Sequence, residues 1–159
     1  TDELLSRLEK RLTPVDTMGE RSGLDAVCAL GKAAQDAALR LRAARIAARY
    51  IARQPDIAWI DGATMGALEF IGTVEPSNAA KDLLAEVVTS AKSKLVRQHA
   101  LERIAEVSRG AAKPVLAVMM ARDELYRAIQ GRSDLPPVYH FPESAARALA
   151  MLCRYAEWR

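Results

Sequence analysis

The stretch from Lys113 to Arg159 constrains this chain most: KPVLAVMM, then ARDELYRAIQGRSDL, then PPVYHF, then PESAARALAMLCRYAEWR. A short apolar run, a helical pattern, a second short apolar run and a second helical pattern make the order of a βαβα unit. Its two strands must run parallel, because a helix carries the chain back between them. Pro114 to Met120 is the best strand in the chain, and its continuous apolar run suits a strand buried on both faces of a parallel sheet. Pro142 sits where a missing N–H costs nothing in a first helical turn, and Glu143 lies near the positive end of that helix. Ala145, Leu149, Leu152 and Ala156 then line one face.

The rest of the chain reads as helices. Leu4, Leu5, Leu8 and Leu12 fall at helical spacing before Thr13-Pro14, and a polar stretch follows to Gly23. From Leu24 to Arg53 runs a long helical pattern that Gly31 weakens, so it reads as one helix or two. After the Gln54-Pro55-Asp56 break, Ile57 to Ile60 suits a short strand, Asp61 to Gly66 a turn or loop, and Ala67 to Ile71 either a helical turn or a strand. Pro76-Ser77-Asn78 is a helix start, and the apolar spacing from Ala80 through Val107 persists until Gly110.

With 159 residues, half of them apolar and 27% charged, the chain suits one globular domain over 1–159. Its start at Thr1 suits a fragment or subunit of a larger protein. No apolar run nears the roughly 20 residues of a bilayer span. Cys28 and Cys153 lie inside helical patterns with no CxxC spacing, which fits a reducing, cytoplasmic setting and the role of small hydrophobes. A net charge of +3 is too small to argue for nucleic acid.

The tail resembles the C-terminal end of the NDP-forming acyl-CoA synthetase (succinyl-CoA ligase-like) family, on KPVL, on PPVYHFPE and on the Ala/Arg-rich helix ending YAEWR. Weaker likenesses are Leu5 to Asp16 and Ala44 to Ile60. The resemblance implies a three-layer, flavodoxin-like α/β fold with strands at 57–60, 114–120 and 137–141 in one parallel sheet. It implies a ligase domain that supports acyl-CoA, ADP and phosphate interconversion beside companion CoA-binding and ATP-grasp domains or subunits, in an oligomer. CoA or ADP/ATP would be held through those companions. The family's phosphorylated histidine sits in a Ser-His-Thr-Gly-type loop that neither His99 nor His140 matches, so the chain alone is not expected to catalyse the reaction. The alternative fold is an all-α module, a helical interaction or regulatory domain whose basic face meets an acidic partner, a subunit or nucleic acid. A small enzyme using the loop after Ile60 is a third reading.

Arg42, Arg45, Arg49 and Arg53 fall at i, i+3, i+7 and i+11, with no acid between Asp36 and Asp56. Guanidinium forks on one helix face suit the phosphates of CoA, nucleotide or nucleic acid. They suit equally a solvated face or a subunit contact. No aromatics interleave for base stacking. Gly62 and Gly66, after a candidate strand, could bring backbone N–H groups to a phosphate, or form a plain turn, since no GKS/T or GxGxxG follows. Asp16 suits an Asx-turn. His140 reads as a hydrogen-bonded strand residue, and Trp59 and Trp158 as core or interface anchors. Two histidines and two cysteines so far apart show no metal-ligand spacing.

Overall fold

The structure, a computed structural model, describes residues 2–12, 18–56, 59–109, 114–118, 126–127, 130–133 and 135–158. The chain divides into two compact units, Thr1–Val107 and Ser108–Arg159.

The first unit is built from helices α1 (Asp2–Arg11), α2 (Met18–Ala33), α3 (Ala37–Arg53), α4 (Gly62–Gly72), α5 (Ser77–Ser90) and α6 (Lys94–Ser108). The pattern from 24 to 53 is two helices, and the break lies at residues 34–36 rather than at Gly31. There the Asp36 carboxylate accepts the Ala38 N–H at 3.0 Å and starts α3, as a short acidic N-cap should. Gly31 belongs instead to a close crossing. A Cβ at this position would lie 2.2 Å from the Phe70 ring of α4 and 2.8 Å from the Ala43 Cβ of α3.

Alanine sets how closely α3 packs. Ala43, Ala44, Ala47 and Ala48 are buried with Ile46, Tyr50 and Ile51, and the helix touches α2, α4 and α5. Leu24, Val27, Leu68, Phe70, Ile71, Leu84 and Val87 fill the space between those four helices. The pattern from 77 to 108 is also two helices, with a turn at 91–93. α5 begins at Ser77 as expected, with Pro76 at its N-cap. α6 buries Val96, Ala100, Leu101, Ile104 and Ala105, and its Arg103 reaches Glu69 of α4 at 3.3 Å.

The second unit contains the parallel pair β1 (Ala117–Val118) and β2 (Val138–Tyr139), followed by α7 (Pro142–Trp158). Ala117 stands opposite Val138 and Val118 opposite Tyr139, and the Ala117 N–H donates to the Pro137 carbonyl at 2.9 Å. Between the strands, residues 126–127 are helical, and the Gln130 N–H donates to the Tyr126 carbonyl at 2.9 Å. Gly131, at φ +78°, then takes the left-handed conformation that suits glycine. α7 starts at Pro142 as the sequence predicts.

This architecture overturns the three-layer, flavodoxin-like sheet. Among the described residues 74% are helical, in seven helices, a two-strand parallel pair is the only sheet, and the all-α alternative fits. The physical reason lies in what the would-be strand segments do. Trp59 and Ile60 are not in a strand, and residues 57, 58, 119 and 120 of the expected strands lie outside the described residues. The segment from 61 to 72, read as loop then helical turn or strand, is helix. Asp61 caps it by accepting the Thr64 N–H at 2.7 Å, which satisfies a donor that a helix start leaves open.

Candidate functional site

α3 does present Arg42, Arg45, Arg49 and Arg53 at the spacing of one helix face, yet α1 lies against part of it. On α1, Asp2, Ser6 and Glu9 recur at i, i+4 and i+7, and Leu5 beside them is fully buried. Arg42 pairs with Asp2, donates to the Ser6 hydroxyl at 2.8 Å and stands 3.5 Å from Glu9. The hydrogen bond to Asp2 raises the pKa of the Arg42 guanidinium further above its already high ordinary value. Arg49 stands 3.8 Å from the other oxygen of Glu9. Arg45 and Arg53 are exposed. Half of the stripe is thus neutralised from within, and an incoming phosphate would have to displace carboxylates to reach Arg42 or Arg49. The acids of α1 were in plain view in the sequence, but their sharing a place with Arg42 depends on a contact spanning 40 residues.

Gly62 and Gly66 are not loop residues. Both lie within α4, whose N-terminus the Asp61 carboxylate already occupies. A Cβ at either position would meet nothing within 4 Å, so no close packing requires glycine there. The structure brings neither glycine into a phosphate-cradling turn.

The remaining candidates divide by burial. Cys28 is buried, and burial pushes its thiol up to about 11, the opposite of the shift that activates a nucleophile. Cys153 is exposed on α7. His99 Nδ1 lies 2.9 Å from Glu102 along the same helix, and Gln98 donates to Glu102 at 3.2 Å. His140 is packed edge-on between Tyr126 and Phe141, with ring centroids 4.9 and 4.5 Å away. Its Nδ1 is buried without a hydrogen-bond partner, so the expected hydrogen-bonded ring is not found at that atom. Asp16 lies outside the described residues. Among the described residues no three His, Cys, Asp or Glu side chains converge as metal ligands. Among them, too, no helix is long and apolar enough to cross a membrane.

The helix α7 was legible in the sequence, but its open apolar face was not. The face carrying Ala145, Leu149, Leu152 and Ala156 looks like a core face, but only Ala145 on this helix is buried. Of the nine large apolar side chains exposed among the described residues, seven lie in the second unit: Val118, Phe141, Leu149, Met151, Leu152, Tyr155 and Trp158. Trp158 is 82% exposed and Met151 71%, and Trp59 in the first unit is 60% exposed, so neither tryptophan is a core anchor. On α7, Ser144, Ala148, Met151, Tyr155 and Trp158 recur at i, i+4, i+7, i+11 and i+14, a single stripe beside the one facing the strands. Its signal was the uninterrupted breadth of small and apolar residues around α7, where charge is confined to Glu143, Arg147, Arg154 and Glu157. Compared with family models, with curated proteins and with solved structures, the chain matches none, so the ligase resemblance of the tail rests on its own motif residues.

Proposed function

We propose that this chain is an interaction module: a closed helical unit that carries a second unit whose α7 docks onto another protein surface. One observation carries the reading. The large apolar side chains that the first unit keeps inside are, in the second, displayed together on one helix and the turn before it. Contiguous apolar patches beyond a few hundred Å² are rare on monomers and mark interaction surfaces. Trp, Tyr and Met are also the residue types enriched at the centres of interfaces.

Acrylamide quenching of Trp158 fluorescence tests this reading in a Trp59→Phe background at about 0.1 µM chain, where an association with a micromolar Kd is dissociated. Red-shifted, readily quenched emission is expected. Blue-shifted emission protected from quencher in a chain that sediments as a monomer at that dilution would mean that the chain covers the face itself, and would sink the proposal.

A second reading keeps the ligase role. It is favoured by the parallel pairing of Ala117 with Val138 and by α7 starting at Pro142, both of which the resemblance implies for the tail. Under it the chain completes a CoA and phosphohistidine site carried by companion domains, and Arg45 and Arg53 are the arginines left open to a phosphate. Calorimetric titration with CoA and with ADP decides. Binding weakened by Arg45→Ala and Arg53→Ala supports the reading, and no heat, or heat indifferent to both changes, removes it.

A further inference from the structure

We propose that the occupant of the open α7 stripe is a second copy of this chain, held as an antiparallel helix pair related by a twofold axis. The inference rests on the docking role of α7 proposed above and names its partner.

The first argument is area. Phe141, Met151, Tyr155 and Trp158 are all more than half exposed. With roughly 150–250 Å² for each aromatic and somewhat less for Met, they leave about 500 Å² of apolar surface open. A standard stable interface takes about 800 Å² from each partner. The stripe therefore supplies more than half of what one partner contributes, and in a twofold pair the same surface serves both sides.

The second argument is size complementarity along the stripe. In an antiparallel pair in which opposing residue numbers sum to 299, Ala148 faces Met151, Ser144 faces Tyr155 and Phe141 faces Trp158, each twice. Every large side chain of the stripe then meets a small one, apart from an aromatic pair at each end. Small residues opposite large ones let two helices approach and interdigitate. Few sequences are self-complementary in this way by composition alone, because the match requires the large residues in the C-terminal half of the stripe and the small ones in the N-terminal half.

The third argument is charge. α7 carries Glu143, Arg147, Arg154 and Glu157, two of each sign, so a second copy meets no net repulsion and no strongly charged partner is selected. In the same register, Glu143 of one copy lies two residues, about 3 Å along the axis, from the position facing Arg154 of the other.

Sedimentation velocity of the full chain from about 0.1 to 100 µM, with Trp158 quenching on the same samples, tests the proposal. A concentration-dependent shift from monomer to dimer is expected, with Trp158 becoming protected as the dimer forms. Met151→Glu should weaken the dimer by at least about 30-fold, the scale of an interface hot spot. Ala148→Met alone should weaken it by crowding two Met side chains together. Ala148→Met with Met151→Ala should restore it, because the exchange keeps one small and one large residue at each crossing. Met151 is exposed and Ala148 half-buried on this helix, and every replacement is a strong helix former, so the fold is preserved and circular dichroism checks it. A chain that stays monomeric with Trp158 quenchable throughout overturns the second copy while leaving the docking role standing. Trp158 protected at every dilution in a chain that sediments as a monomer overturns both. A dimer indifferent to Met151→Glu, or one that the double exchange fails to restore, overturns the antiparallel register.

Discussion

At the scale of single residues, Gly31 shows how a poor helix former can be the right residue. Its cost of about 1 kcal/mol relative to alanine is a property of the isolated helix. In the folded unit the added methyl would fall on Phe70 and Ala43, both packed in the core, at distances that real Cβ atoms do not reach. Gly31→Ala is therefore expected to lower stability by roughly 1–3 kcal/mol despite its better propensity, measured by urea denaturation. Phe70→Leu in the same background should recover part of the loss. Cys28 is the second residue with a measurable signature. Its thiol is held at about 11 against an ordinary 9.0, so above pH 9 the unfolded chain loses a proton that the folded chain keeps. Stability should thus be intact below pH 9 and fall by roughly 2 kcal/mol as pH rises toward 11. Cys28→Ala should remove that part of the slope, and a thiol reagent should modify Cys153 at once but Cys28 only on unfolding.

At the scale of elements, the caps explain what the apolar spacing left ambiguous. Residues 61 to 72 combine glycines, a threonine and a short apolar run, a mixture that propensity does not resolve. Asp61 resolves it by supplying the acceptor that a helix start lacks. Asp61→Ala should cost about 1 kcal/mol and Asp61→Asn or Asp61→Ser much less, read from thermal unfolding. The pairing of α1 with α3 belongs to the same scale. Arg42 and Arg49 face a carboxylate row on α1 that matches their own spacing, so the stripe is in half its length an intramolecular seam. Exposed ion pairs contribute little each. What anchors α1 is Leu5, and the charges select where it lies.

At the scale of the whole molecule, the two units differ in how much of themselves they bury. Among the described residues nearly all of the buried side chains belong to the first unit, whereas the second contributes Leu135 and Ala145 to the buried apolar set. A chain ending after α6 should accordingly keep a cooperative unfolding transition and a strongly helical circular dichroism spectrum. The segment 108–159 by itself should not, because among its described residues the apolar side chains buried are those of Leu135 and Ala145, too little for an isolated core. Loss of cooperativity in the shorter chain would contradict this division.

Local information sufficed for the existence of α1, of the helices within 24–53 and 77–108, of the start of α7 at Pro142, and of the parallel order of β1 and β2. Apolar spacing, Pro placement and the rule that a crossover returns a strand parallel all act within about 20 residues. Tertiary structure alone decided that no multi-stranded sheet forms among the described residues, that Gly31 marks a crossing, that Arg42 and Arg49 are already paired, and that the apolar stripe of α7 is left open. Each of these depends on which surfaces meet across tens of residues. A periodicity shows that a helix has an apolar or a basic face, and only the packed chain shows what that face finds or whether it finds anything at all.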